Sequence, residues 1–343
     1  MSSILIRWLG QLVLFLLILS MVVVERSFAQ PSAERVAKAK KEGAVNIYFV
    51  WQLQHAQALK QSFNKRYPSI KVNLLRQAGA RMLNRLDIEA KTGRHEVDVI
   101  IISDLYWQTL MDKGLIAPYC SPEAKAFPSQ FKDPKCLWSV LNINTHVIAY
   151  NTELVPKEAR PKTLEDLLHP RWKGGKLVMD TTDDRWFTQT LDKWGEERGM
   201  AYMKKLAAQK PDFRRGHTLM LQILAAGEYP VNVISYGHQV EYMKAQGAPL
   251  GWSADEPVTT TGGATSLAKH APHPEAAKLF IDFLMSKEAQ EVITRFNRIA
   301  TRVDVPPNPP RLLKGLELAP VKPELGKILP RRIKQFREIF GIR

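Results

Sequence analysis

Strand-length apolar runs alternate with helical segments in the first third of the chain, and this alternation restricts the fold more than any other feature. The predicted strands lie at residues 45–50, 70–75 and 97–102, and the first and third read VNIYFV and VDVIII. Helices are predicted at residues 54–66, 81–92 and 105–113, and Pro68 stops the first because proline cannot continue a helix. Mostly apolar strands suit a parallel sheet covered on both faces. The pattern therefore predicts a doubly wound α/β lobe.

The N-terminus has the pattern of a secretory signal. Arg7 is followed by an apolar run at residues 9–24, and Ser27-Phe28-Ala29 places small residues where a signal peptidase reads. Cleavage before Gln30 is the prediction, which makes residues 1–29 a signal peptide and the bacterial periplasm the compartment. An uncleaved membrane anchor is the alternative, but the run is short of the roughly 20 residues that a spanning helix needs.

Length and charge bound the remaining chain. Residues 30–343 are about twice the usual size of one domain, so two lobes are expected. The formal net charge is +15, yet the basic residues are dispersed and no nucleic-acid-binding motif accompanies them. Such a charge favours encounters with small anions and anionic membranes. The basic cluster at residues 331–337 is interpreted as an amphipathic terminal helix with a solvated face; a membrane- or permease-facing role is the alternative.

The two cysteines, Cys120 and Cys136, are predicted to form a disulfide. They are the only cysteines of the chain, and an oxidising compartment permits them to pair. The loop-entropy model assigns such a bond roughly 3 kcal/mol of stabilisation. Two buried free thiols remain the alternative. A closed metal site is not predicted from two cysteines without a neighbouring CxxC or HxxxH.

Several motifs together resemble the extracellular solute-binding proteins of ABC importers, family 1, the group that includes ferric-iron-binding periplasmic proteins. In chain order they are residues 45–48, DVIIISD at 98–104, AYNTELVPKEARPKTLEDLLHPRWKGG at 149–175, Gly227-Glu228, and HAPHPEAAKLFIDFLMSKEAQ at 270–290. The resemblance implies a two-lobed type II periplasmic-binding-protein fold. Each lobe would be a mostly parallel sheet flanked by helices, and two hinge strands would join the lobes.

The implied domain order follows from this fold. Residues 30–145 would form the first part of lobe one, 146–255 lobe two, and 256–304 the return into lobe one. Residues 305–343 are expected to be a proline-rich linker and a basic C-terminal tail, since VPPNPP at 305–310 suits neither a helix nor a central strand.

The candidate ligand-binding residues follow the apolar strands, because ligands of open α/β sheets lie beyond the carboxyl ends of the strands. Small residues and hydroxyls beside helix starts expose backbone N–H groups that suit an oxyanion. An arginine would add a bidentate salt link and aromatic rings a stacking wall. For threonines at helix starts, ordinary helix capping is the alternative. The predicted residues are Trp51, Gln52, Arg76, Gly79, Ser103, Tyr106, Thr181, Thr182, His217, Thr218, Tyr236 and Thr260.

Iron is the specific alternative that the resemblance raises. Ferric binders of this group are expected to use two adjacent tyrosines at the tip of the last lobe-two strand, with help from a lobe-one histidine. Here the matching tip has only Tyr236, between Ser235 and Gly237, and Gln52 lies near the place of the histidine. No metal site is therefore predicted, and Tyr236 is the only candidate iron ligand.

The function expected from the resemblance is solute capture without chemistry. The sequence has no G-x-S-x-G elbow, P-loop or dinucleotide fingerprint, and Asp180, Asp183 and Asp184 lie at a helix start that favours acids. We expect a substrate-binding component that closes two lobes on a small polar or anionic solute and delivers it to an inner-membrane permease. No cofactor and no nucleic-acid partner is expected, and the chain is expected to be a monomer. A ferric-iron binder and a solute-sensing adaptor are the alternatives.

Overall fold

The computed structural model describes residues 31–77 and 79–342, so the predicted signal peptide lies outside the described residues. The helices are α1 (Ala33–Glu42), α2 (Leu53–Arg66), α3 (Gly79–Lys91), α4 (Trp107–Asp112), α5 (Asp184–Trp194), α6 (Glu196–Ala208), α7 (His217–Ala225), α8 (Gly237–Ala245), α9 (Pro274–Met285), α10 (Lys287–Thr294) and α11 (Leu325–Phe340). The strands are β1 (Ala44–Phe49), β2 (Lys71–Arg76), β3 (Val99–Ser103), β4 (Ile116–Ala117), β5 (Ser139–Asn151), β6 (Leu177–Asp180), β7 (Asp212–Arg214), β8 (Val231–Tyr236), β9 (Leu250–Ser253), β10 (Val258–Ala268), β11 (Ile299–Ala300) and β12 (Leu318–Ala319).

Lobe one is built on the strand–helix alternation that the sequence predicts. Strand β1 pairs in parallel with β2 and with β3, and β10 continues the sheet in the antiparallel direction. All five residues of β3 are buried, which explains its uninterrupted apolar sequence. Helices α2 and α9 cover one face, where Phe63 packs edge-to-face against Phe280 and Phe283.

Lobe two repeats this plan on the other half of the sheet. Strands β8, β6 and β7 are parallel to one another, and β5 joins β8 in the antiparallel direction. Its core lies between these strands and helices α5 and α6, and includes the fully buried Phe187. The two-lobed α/β class predicted from the sequence is confirmed, with a mixed sheet in which each lobe contributes three parallel strands.

Two long strands connect the lobes. In β5, residues Ser139 to Thr145 pair with β10, whereas His146 to Asn151 pair with β8 and β9. The change of partner falls between Thr145 and His146, and the domain bounds given above remain a prediction. Because β10 crosses back beside β5, the connection between the lobes is a two-stranded antiparallel ribbon, which agrees with the expected pair of hinge strands.

The C-terminal segment forms the predicted helix but packs more closely than a solvated tail. Strand β12 pairs with the start of β10, and α11 follows it. Within α11, Phe336 is fully buried and Arg332 is only 5% exposed, whereas Arg331 and Lys334 point to solvent. The basic cluster is thus divided between a buried and an exposed face.

The predicted disulfide is present. Cys120 and Cys136 are bonded, with their Cα atoms 5.0 Å apart, so the free-thiol alternative is wrong. Within residues 31–77 and 79–342, no helix combines the length and apolar character that crossing a membrane requires.

Candidate functional site

A cavity of about 830 Å³ lies between the two lobes. It opens where β1, β2 and β3 of lobe one and β8 of lobe two end, and the hinge strands β5 and β10 form part of its wall. Its size falls within the range of small-molecule sites. The lining residues are Val50, Trp51, Gln52, Arg76, Gln77, Gly79, Arg81, Ser103, Asn142, Asn144, Thr182, Arg185, Gly216, His217, Thr218, Tyr236, Gln239, Thr261, Gly262, Gly263 and Arg298.

Most of the residues predicted from strand ends lie together in this cavity. The nine that line it are Trp51, Gln52, Arg76, Gly79, Ser103, Thr182, His217, Thr218 and Tyr236. The helix-cap alternative does not apply to the two threonines, because α5 begins after Asp183 and α7 after Gly216. Thr182 instead donates its hydroxyl to Asp180 at 2.7 Å. These positions depend on the sheet topology, which brings the carboxyl ends of parallel strands to one edge.

Tyr106, Thr181 and Thr260 are not among the residues that line the cavity, and their role in ligand binding remains a prediction. Thr260 is 1% exposed because side chains of β10 alternate between faces, and its neighbour Thr261 takes the cavity side. The backbone N–H of Thr181 donates to the carbonyl oxygen of Arg214, next to the pairing of β6 with β7. Tyr106 packs against Gly79, where its ring leaves no room for a side chain.

Two arginines of the lobe-one wall are held by defined partners. Arg76 donates from Nε to the carbonyl oxygen of Trp51 at 2.6 Å. Arg298 donates from Nε to His55 Nδ1 at 3.0 Å and from Nη2 to Gln52 Oε1 at 3.3 Å. Burial, assisted by the Arg298 charge, lowers the pKa of His55 to about 4. His55 is therefore neutral at pH 7, and its Nδ1 can accept the hydrogen bond from Arg298.

Arg185 brings a cation from lobe two to the lobe-one wall. It lies in the first turn of α5, and its Nη1 is 3.4 Å from Ser103 Oγ. Its guanidinium carbon lies 5.7 Å from the centre of the Tyr106 ring, a cation–π distance. Burial lowers the pKa of Arg298 to about 10, while nearby phenols and carboxylates raise the pKa of Arg185. Both arginines therefore stay charged at neutral pH.

Buried aspartates shape the lobe-two loops without facing the cavity. Asp180 accepts the Thr182 N–H at 2.8 Å and the Gly216 N–H at 2.6 Å. Asp183 accepts the Asp180 N–H at 2.9 Å, and its other oxygen lies 3.5 Å from His217 Nε2. The acids that follow β6 are thus used to fix the two helix starts at the cavity, and no carboxylate is among the lining residues.

Asp104 has the same supporting role behind the cavity floor. It accepts the N–H of Gly262, the N–H of Leu105 at 3.0 Å and the hydroxyl of Ser103 at 3.0 Å. Burial raises the pKa of Asp104 to about 7. A glycine is needed at position 262, because a Cβ there would lie 2.6 Å from a Val140 methyl.

Tyr236 lies among histidines rather than carboxylates. Its ring centre is 4.4 Å from that of His217 and 5.8 Å from that of His146. Burial raises the pKa of Tyr236 to about 12, so the phenol carries its proton at neutral pH. Among the described residues, no group of three or more histidine, cysteine, aspartate and glutamate side chains is arranged to hold a metal ion.

Several lining residues escaped the sequence analysis. Arg185 carried a usable signal, because it lies in the first turn of a helix that follows a predicted strand tip. Asn142 and Asn144 alternate in β5, and their period of two places both on one face. Arg298 had no local signal, since only the packing of α10 and β11 on lobe one brings it to Gln52.

A ligand-sized cavity between two lobes joined by hinge strands defines a type II periplasmic binding protein. The chain belongs to the bacterial extracellular solute-binding protein family, whose model matches residues 96–322. It is the substrate-binding component of an ABC importer, and it is a binding protein rather than an enzyme.

Relatives and structural neighbours place it beside proteins with different solutes. The Fe(3+)-binding periplasmic protein of Serratia marcescens is 24% identical over 277 residues, 75% of this chain and 78% of that protein. Iron-bound HitA from Pseudomonas aeruginosa superposes with a TM-score of 0.77 at 16% identity, over 86% of this chain and 99% of that one. AfuA from Actinobacillus pleuropneumoniae, with fructose-6-phosphate bound, has a TM-score of 0.73 at 24% identity, over 88% and 99%. The two structures establish the fold alone.

Proposed function

We propose that this protein captures a small hydroxylated organic anion, such as a phosphate or phosphonate ester, between its two lobes. One observation carries the proposal: Arg76, Arg81, Arg185 and Arg298 line the cavity, and no lining residue is an aspartate or glutamate. Guanidinium groups match the geometry of phosphate and carboxylate oxygens. A site with this charge attracts anions and repels cations.

The uncharged part of the cavity supports a hydroxyl-bearing solute. Its polar side chains include Gln52, Gln77, Asn142, Asn144 and Gln239, each of which offers both a donor and an acceptor. Such amides pair well with hydroxyl groups, which also donate and accept. The cavity volume of about 830 Å³ is large for a bare inorganic ion and suits a solute of sugar-phosphate size.

Lobe closure provides the mechanism of capture. A solute that contacts Arg185 of lobe two together with Arg76 and Arg298 of lobe one stabilises the closed arrangement. In this proposal the mature chain begins at Gln30, works as a monomer in the periplasm, and delivers the closed complex to an inner-membrane permease. A sensing adaptor would use the same closure but a different receptor.

Ferric iron is the second candidate, because Tyr236 lies at the tip of β8 and iron-binding relatives exist. Against it stand the four lining arginines and the absence of carboxylates among the lining residues. Hard Fe(III) needs anionic oxygen ligands, so iron would have to arrive with its own anion.

The test is a thermal-shift and calorimetry panel on residues 30–343, refolded to remove co-purified solute. The panel contains phosphate monoesters, phosphonates, carboxylates, sulfonates, polyols, polyamines and ferric citrate. A ligand at 100 times its Kd should stabilise the protein by about 2.7 kcal/mol. The proposal expects hits among hydroxylated anions. Selective stabilisation by ferric ion with a non-binding counter-anion, or by neutral polyols alone, would overturn it.

A further inference from the structure

The C-terminal helix α11 packs on both lobes, and it does so on the two segments that meet across the cavity. One segment is the turn Asp104–Tyr106 with the following α4 in lobe one. The other is α5 of lobe two, which carries Arg185. Arg185 and Ser103 are the pair that bridges the cavity at 3.4 Å. A single helix therefore packs on α5, which carries Arg185, and on the turn that directly follows Ser103.

The lobe-one attachment is a small apolar cluster. Leu105 packs with Leu325 and Leu329 of α11 and with Val321, each of them at most 8% exposed. Gly326 lies directly on lobe one, since a Cβ at this position would stand 2.4 Å from the carbonyl oxygen of Leu105. The contact is close enough that one added methyl group would force α11 away from lobe one.

The lobe-two attachment is larger. Phe336 is fully buried and stacks edge-on against Phe187 and Phe213. Arg332, 5% exposed, donates to both carboxylate oxygens of Glu196 at the start of α6. Because these contacts belong to the lobe-two core, α11 moves with lobe two when the lobes separate.

We propose that α11 is a clamp whose Leu325–Leu329 end, seated on Leu105, holds the two lobes together before any solute binds. Leu325 and Phe336 lie on the same helix, about 16 Å apart at about 1.5 Å per residue, with Pro330 between the two attachments. Because one helix carries both attachments, the lobes cannot separate unless one attachment detaches or the helix bends at Pro330. Opening of the lobes then requires the weaker lobe-one end to detach, and the clamp keeps Arg185 close to Ser103 and Tyr106. The inference concerns lobe closure and holds whichever solute binds.

The experiment measures the distance between lobes in ligand-free protein. Spin labels are attached to Lys91→Cys in lobe one and Lys204→Cys in lobe two, both on exposed positions, while the native cysteines remain in their disulfide. Double electron–electron resonance then reports the populations of closed and open molecules. The clamp is weakened by Gly326→Ala, which adds a methyl group, or by Leu329→Ala, which removes apolar contact. Lys334→Ala, on the exposed face of the same helix, is the control.

If α11 acts as a clamp, the distance between the two spin labels should be predominantly short in the unsubstituted chain and in Lys334→Ala. Leu329→Ala should raise the open-to-closed ratio at least about tenfold, because buried Leu→Ala changes commonly cost more than the 1.4 kcal/mol that a factor of ten represents. Gly326→Ala should raise the ratio as well, because its methyl group would meet the carbonyl oxygen of Leu105. Near-UV circular dichroism checks that each variant is folded, and Leu325→Ala replaces a variant that is not. A long distance in the unsubstituted ligand-free chain, or unchanged distances in the folded variants, would overturn the clamp. Neither outcome bears on which solute binds.

Discussion

Arg185 lies in the first turn of α5 and reaches Ser103 across the cavity, so one side chain contributes to the surface that both lobes present to a solute. Its charge is supported by Asp184, Tyr106 and Tyr236, which raise the pKa of the guanidinium against the effect of burial. An arginine held this way is preorganised, and less entropy is lost when a solute anion binds it.

Arg185→Gln should weaken binding of the anion selected by the ligand panel by about ten- to a hundredfold, the range expected for loss of a charge-assisted hydrogen bond. Arg198→Gln is the matched control, because Arg198 lies on α6 with a side chain 64% exposed, and its pair with Glu165 is a surface ion pair. Isothermal titration calorimetry gives both dissociation constants. Equal affinities for the two variants would show that Arg185 does not contribute to solute binding.

The hydrogen bond between His55 and Arg298 makes one residue of the cavity wall sensitive to pH. Burial lowers the pKa of His55 to about 4, so between about pH 6.5 and pH 4 the unfolded chain binds a proton that the folded chain does not. The contribution of His55 to the free energy of unfolding is therefore fully present above about pH 6.5, and it is lost as the pH falls toward 4. Protonation would also remove the Nδ1 acceptor that Arg298 uses.

His55→Gln keeps an acceptor for Arg298 but cannot titrate. The free energy of unfolding of the native chain should fall relative to this variant by up to about 1.4 kcal/mol per pH unit below pH 6.5. Urea unfolding at pH 7.5, 6 and 5 measures the difference. A difference that stays constant over these three pH values would show that His55 does not titrate as described.

At the level of elements, the loop closed by Cys120 and Cys136 is ordered by its disulfide and by short 3-10 turns. Neither cysteine is among the residues that line the cavity. The bond should therefore act on stability and leave the site unchanged.

The double substitution Cys120→Ser with Cys136→Ser should lower the free energy of unfolding by about 3 kcal/mol, the loop-entropy value for a loop of this length. Urea unfolding of the native chain with and without a phosphine reductant checks that the loss comes from the bond itself. The ligand dissociation constant should change less than twofold. A large loss of affinity with intact folding would indicate that the loop supports the cavity.

The elements that sequence reasoning located best are those with a local signal. The strands of lobe one, the helix after each and the strand-end residues Gln52 and Ser103 follow from apolar runs and their boundaries. Strand β10 had no such signal for its direction, because antiparallel pairing with β3 and β5 depends on residues more than a hundred positions away. The sequence also could not distinguish Thr260 from Thr261, since only the register decides which face of β10 meets the cavity.

The C-terminal tail shows the same limit of sequence-based prediction, over larger separations along the chain. Its basic residues and helical period predict α11 correctly, but they do not indicate that Arg332 is buried against Glu196 or that Gly326 touches Leu105. Those contacts join residues more than a hundred positions apart. Arg298 reached the cavity in the same way, through the packing of α10, which no short sequence window contains.

For the whole molecule, the formal net charge of +15 and the four arginines of the cavity have the same sign. A small anion approaching such a body is attracted before contact, and the attraction weakens as salt screens it over about 10 Å at 0.1 M ionic strength. The field should therefore affect the association rate more than the dissociation rate, which short-range contacts in the closed cavity determine.

Stopped-flow fluorescence can follow binding through Trp51, which lines the cavity. Raising sodium chloride from 20 to 500 mM should lower the association rate constant of an anionic solute by about tenfold and change the dissociation rate constant by less than twofold. A cationic solute would associate faster as salt is added, because screening then removes a repulsion. The sign of the salt effect on the association rate thus distinguishes an anion from free ferric ion, and an effect of the cationic sign would contradict capture of an organic anion.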